Sequence, residues 1–185
     1  MIINPDRTGR VYSEIILTQE HLAAIGSVAI ESSNCERLIE SIIWNILGIK
    51  ESQGKFISKA SGFKTSIDLM TNLVRERLKQ NAEKNDEILK EFSEITAALT
   101  KANERRNIVI HGDWRQPFQN FLDMLGRTPE EFPTAKVFKR QTHSAPIEFP
   151  AEEAREVAVD LSHLQHRLLM FISTEAGVFQ ISPDK

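Results

Sequence analysis

Glu104-Arg105-Arg106-Asn107-Ile108-Val109-Ile110-His111-Gly112 admits two opposed backbones, and the choice between them decides the fold. Taken alone, Ile108-Val109-Ile110 followed by His-Gly-Asp looks like a strand running into a turn, because β-branched side chains suit a pleated, half-buried surface. Upstream, apolar residues stand at Ile88, Phe92, Ile95, Leu99 and Ala102, and the same spacing continues to Arg106 and Ile110. That is the period of a helix, so the longer pattern favours a helix from near Asp86 through the segment.

Working outward, the flanking chain reads the same way. Thr18 is a plausible N-cap, with Glu20 in the first turn where the helix dipole favours an acid. Leu22, Ile25, Val28, Ala29, Ser32, Cys35, Ile39, Ile42, Ile43 and Ile46 follow at helical spacing, and Gly48 is a natural stop. Residues 48–64 read as a connection, and a second helix is predicted over 65–81, with Ile67, Met70, Leu73, Val74 and Leu78 inward. Asn81 to Asn85 suits a turn between antiparallel helices. Gly112, Pro117, Gly126, Pro129, Pro133 and Pro146 then interrupt any long helix. Within this stretch a short helix fits Phe118 to Leu125, and Val137–Arg140 can pair with Pro146–Phe149 as a hairpin. The last helix is expected from near Pro150 through Phe171, with Glu152 and Glu153 in its first turn, and the tail after Thr174 reads as frayed. The expectation is a mainly α chain, an up-and-down bundle of four long helices with a small irregular, hairpin-bearing insertion at 112–149 before the last one. Residues 1–17 form an N-terminal extension, in which Val11 to Leu17 has the composition of a short strand.

Composition bounds the function. A chain of 185 residues, 41% hydrophobic and 26% charged, is expected to make one globular domain over 1–185. No stretch approaches the ~20 continuous apolar residues of a bilayer span. Met1 to Asp6 has neither the basic nor the apolar region of a signal peptide, so a cytoplasmic protein without membrane partners is expected. Cys35 is the only cysteine, which excludes an intramolecular disulfide and a zinc–cysteine cluster. A net charge of −3 gives no global attraction for nucleic acid, although residues 101–150 carry eight Lys/Arg against six Asp/Glu. Gly-rich phosphate loops, a Gly-x-Ser-x-Gly elbow and Cys-x-x-Cys are all absent. His163 and His166 stand three apart on the last helix without a clustered third ligand, and read as a solvated or packed pair. His21 and His143 read as surface residues.

Arg106-Asn107-Ile108-Val109-Ile110-His111, with Gly112 after it, resembles the signature of the HEPN superfamily: an Arg, a polar residue, a few variable residues, then His. The likeness is specific at 105–112 and covers the helical framework loosely over 18–112 and 150–173. It implies a helical bundle that often dimerises, bringing two motifs into one cleft. Many such proteins are metal-independent endoribonucleases, often toxins or antiviral effectors, and others have lost activity. By that resemblance Arg106, Asn107 and His111 would be catalytic, with no cofactor, an RNA substrate, a homodimer, and an antitoxin or regulatory protein as a further partner. His111 would serve as general base or acid while Arg106 binds the phosphate.

Helix geometry adds to this and complicates it. Asn107 and His111 are neighbours at i and i+4, so the amide can orient the imidazole. Arg106 and His111 are i and i+5, about 140° apart around an ideal helix, so convergence calls for a long Arg, a loosened last turn or a second protomer. On this reasoning dimerisation is close to a requirement. Arg105, Arg115 and Trp114 are candidate substrate contacts, Trp114 by stacking on an unpaired base. A structural alternative is open: Arg106 lies on the apolar stripe, and Glu36, inward on the first helix, is a candidate partner for a buried ion pair. The competing function is a catalytically silent helical bundle that serves as a binding or scaffold module.

Overall fold

The computed structural model describes residues 17, 19–58, 62–79, 85–115, 136–138 and 147–175. Among these the chain is mainly α. Five helices are present: α1 (Gln19–Leu47), α2 (Glu51–Ser58), α3 (Phe63–Lys79), α4 (Asn85–His111) and α5 (Ala151–Thr174). Three short strands, β1 (Asp113–Arg115), β2 (Lys136–Phe138) and β3 (Ile147–Glu148), lie between α4 and α5. The expected segments Val11–Ile16, Phe118–Leu125 and the tail beyond Glu175 fall outside the described residues, as does His143.

The chain forms two compact units, each assembled from separated stretches. One comprises Met1–Ala29 and Arg105–Ala158, the other Ile30–Glu104 and Val159–Lys185. Among the described residues the second unit carries the larger apolar core. Cys35, Ile39, Ile42, Ile43 and Ile46 of α1, Ile67, Met70, Val74 and Leu78 of α3, Phe92, Ile95 and Leu99 of α4, and Leu161, Leu168 and Phe171 of α5 are all buried there. Phe92 and Phe171 stack with ring centroids 5.4 Å apart. Burial of a Leu, Ile or Phe side chain contributes about 1.5–3 kcal/mol each, so this apolar set holds the unit together.

Helix α1 stops at Gly48, whose φ of 68° lies in the left-handed region. The Gly48 amide donates to Asn45 O (3.2 Å) and the Ile49 amide to Trp44 O (3.1 Å), the paired bonds of a Schellman ending. The connection expected over 48–64 is instead occupied by α2. Its start is set by Lys50, whose amide donates to Gln53 Oε1 (3.3 Å) while the Gln53 amide donates to Lys50 O (2.9 Å). A Gln at the third helical position reaching back to the cap is half of a capping box, a signal available in Lys50-Glu51-Ser52-Gln53.

In the other unit the strands form an antiparallel sheet in the order β1-β2-β3. Trp114 pairs with Val137, and Val137 with Ile147, so of the expected hairpin the pairing of Lys136 and Val137 with Glu148 and Ile147 is found and a third strand joins it; residues 139, 140 and 146 lie outside the described residues. The unit's buried residues include His21, Ala24, Val28, Val109, Phe149, Ala154 and Val157. This corrects two expectations at the ends of the helices. Leu22 is exposed and His21, expected at the surface, is buried, because the start of α1 turns His21 towards Trp114, with ring centroids 6.1 Å apart. At the end of α4 the buried position is Val109, with Ile110 only half-buried.

Candidate functional site

Helix α4 runs unbroken to His111, so Ile108-Val109-Ile110 are helical and the strand begins only at Asp113. The β-branched run is overridden by the burial of Ala102 and Val109 on the stripe continued from Leu99. Gly112 closes the helix, its amide donating to Ile108 O at 3.0 Å. The motif therefore occupies the last turn and a half of a long helix, immediately before the sheet.

Arg106, Asn107 and His111 come together within one chain. Arg106 Nη1 donates to Asn107 Oδ1 at 3.0 Å and lies 3.1 Å from His111 Nε2. The side chain is half-buried, whereas Asn107 and His111 are exposed. Two expectations are corrected by this geometry. The separation around the helix does not call for a second protomer, because the Arg side chain is long enough to fold back along the axis to His111. Nor does Asn107 orient the imidazole directly: its side-chain bond goes to Arg106, which in turn meets His111.

The chemistry of the contact follows from the donor inventory. A guanidinium is a donor only, so His111 Nε2 must be the acceptor and the ring carries its proton on Nδ1. An imidazolium has no lone pair to offer and cannot make this bond. Nη1 meets both partners, so a single nitrogen ties the three residues into a line from amide to guanidinium to imidazole. The arrangement places an imidazole lone pair beside a fixed cation at a solvent-open helix end. It can bind an anion and move a proton.

The other candidate residues are placed differently. Arg105 is paired with Glu156 of α5 at 3.3 Å, which offsets its charge. Glu156 was not singled out in the sequence; its position five residues into α5 gives no local signal of the pairing. Trp114 donates from Nε1 to Val109 O at 3.0 Å, and its ring meets Phe149 edge to face at 6.1 Å and 87°. With His21 on a further edge contact, the indole is engaged in packing β1 onto α1 and the start of α5 rather than laid open for a base. Arg115 stands in β1, its backbone in register with Lys136. Glu36 is half-buried on α1 and belongs to the other compact unit from Arg106.

Among the described residues no group of three or more His, Cys, Asp or Glu is arranged to hold a metal ion, so His163 and His166 gain no third ligand. No helix among them is long and apolar enough to cross a membrane. Comparison with protein-family models, curated proteins and solved structures finds no match to this chain.

Proposed function

We propose that this protein is a HEPN-like, metal-independent endoribonuclease whose working groups are Arg106, Asn107 and His111. The observation that carries the reading is the 3.1 Å approach of Arg106 Nη1 to His111 Nε2, supported by the 3.0 Å bond from the same nitrogen to Asn107. An Arg–polar–x3–His segment at the end of a long helix resembles the superfamily signature, and here its guanidinium and imidazole stand within reach of one phosphate.

In the reaction the ribose 2′-oxygen attacks the adjacent phosphorus, forming a P–O2′ bond as the P–O5′ bond breaks. His111 Nε2 takes the 2′ proton; a proton delivered to O5′ completes a 5′-hydroxyl and leaves a 2′,3′-cyclic phosphate. Arg106 binds the non-bridging oxygens, where negative charge builds in the transition state. Asn107 is a positioning residue that holds Arg106 in place. A homodimer would supply a second imidazole for the leaving oxygen, and a cytoplasmic toxin or stress effector held by an antitoxin or regulatory protein fits this activity.

A second reading has its own support. The chain is acidic at −3, Arg105 is neutralised by Glu156, and Trp114 is committed to packing. Those features suit a catalytically inactive HEPN-like bundle used as a binding or scaffold module, because an acidic surface is a poor general RNA binder.

The deciding experiment is incubation of mixed single-stranded RNA with purified protein in EDTA, beside His111→Ala and Arg106→Ala. The endonuclease reading expects cleavage that survives chelation, leaves cyclic phosphate ends and is lost in both folded variants. Equal inertness of wild type and variants would leave the scaffold reading standing.

A further inference from the structure

We infer that in the free protein Arg106 masks the lone pair of His111, and that a phosphodiester unmasks it by taking the guanidinium hydrogen for itself. The second half rests on the RNA-binding part of the ribonuclease reading and not on cleavage; the first is a statement about three side chains.

Arg106 Nη1 meets two acceptors within the chain, Asn107 Oδ1 at 3.0 Å and His111 Nε2 at 3.1 Å. Nε2 is therefore neither free to accept a proton nor able to carry one while the bond holds. A base in this state is idle. The bond to Asn107 joins adjacent residues on one helix turn, whereas the bond to His111 spans five residues at an exposed helix end.

A phosphate oxygen is a stronger acceptor for a guanidinium than a neutral imidazole, because a charge-assisted bond is roughly twice as strong as one to a neutral acceptor. A phosphodiester reaching this helix end exchanges with His111 at Nη1 while Asn107 keeps the guanidinium aimed. The exchange frees the Nε2 lone pair beside the newly bound phosphate, where the 2′-hydroxyl proton must go. Base activation is thus coupled to substrate arrival, and a protein without RNA holds no exposed base at this position. No bond is made or broken in the exchange beyond hydrogen bonds.

The experiment is long-range proton–nitrogen NMR of the His111 ring at a pH where it is neutral, assigned by its loss in His111→Gln. Wild type is expected to hold the Nδ1–H tautomer, Arg106→Ala to lose that preference, and Asn107→Ala to weaken it. Adding a 2′-O-methylated RNA oligonucleotide, which carries phosphodiesters but no attacking hydroxyl, is expected to move wild type towards the Arg106→Ala spectrum. An Arg106→Ala spectrum equal to wild type overturns the mask. A mask that an oligonucleotide leaves untouched, whether through failure to bind or binding elsewhere, overturns the release. RNA cleavage measured alongside separates the two questions: a mask with release but no cleavage removes the ribonuclease reading and keeps this one, and cleavage without a mask does the reverse.

Discussion

Arg106 meets two acceptors from one nitrogen whose hydrogens are held in the guanidinium plane. Arg106→Lys keeps the positive charge, but an ammonium is a point charge on a flexible stem and does not hold two partners in one plane. If the site cleaves RNA, Arg106→Lys is expected to lower kcat by at least ~10-fold, with His111→Ala costing ~10²–10⁴, the usual contribution of a general base. Initial rates on a defined oligonucleotide check both. Cys35 presents the opposite case, a chemically capable group placed out of use. Its thiol is buried and donates to Leu161 O at 3.2 Å, and burial, with Glu31 and Glu36 nearby, pushes it up to about 12. Since the thiolate is the reactive form, a disulfide-exchange reagent at neutral pH is expected to label nothing in the native protein and the single cysteine after denaturation. Labelling of the native protein at the denatured rate would refute this placement.

At the scale of elements, close approach and cap chemistry decide what periodicity cannot. Gly54 in α2 lies against the Trp44 indole, and a Cβ built on it would clash with that ring. Gly54→Ala is expected to destabilise by about 1–3 kcal/mol, the range for overpacking a filled space, read as a lowered denaturation midpoint. The start of α1 carries a titratable counterpart. His21 is held below its ordinary range, chiefly by burial, despite a backbone hydrogen bond with Phe149 and the nearby Glu20, which act in the other direction. A histidine whose folded-state value is depressed binds its proton more readily when unfolded. Its contribution is present above about pH 6.5 and is lost as pH falls below that value. Melting temperatures of wild type are therefore expected to drop more than those of His21→Gln between about pH 7.5 and about pH 5.5. The long helices were legible because apolar residues repeat over many turns: Cys35 to Ile46, Ile67 to Leu78 and Phe92 to Ala102 point inward as their spacing implies. Helix α2 was not, because its eight residues offer one buried glycine and a Gln cap in place of a stripe. His21 was misjudged for a related reason: its burial is set by Trp114 and Phe149, about a hundred residues away in the chain.

For the whole molecule, the question is whether one chain holds a complete Arg–His set. Sequence spacing placed Arg106, Asn107 and His111 at one helix end and left three routes to their convergence open; the reach of the Arg side chain is the one found, which angular position on an ideal helix cannot single out. The same blindness hid the pairing of Arg105 with Glu156 and the hydrogen bond of Trp114 to Val109, both tertiary in origin. With convergence achieved inside one chain, a dimer is not needed to join the pair; on the ribonuclease reading its contribution would be a second imidazole for the leaving oxygen. The two arrangements behave differently when defective chains are mixed. If Arg106 of one protomer worked with His111 of the other, combining Arg106→Ala with His111→Ala chains would rebuild an intact pair in mixed dimers. In the arrangement described here each variant lacks one half of its own set. If the protein cleaves RNA, co-refolding the two is therefore expected to restore no cleavage, whereas mixing wild type with His111→Ala retains activity in proportion to intact chains or below it, the latter if the second imidazole matters. Recovery of up to a quarter of wild-type turnover in the first mixture, roughly the statistical yield of two variants re-sorting, would place the working pair across the dimer and make the contact within the chain a resting one only.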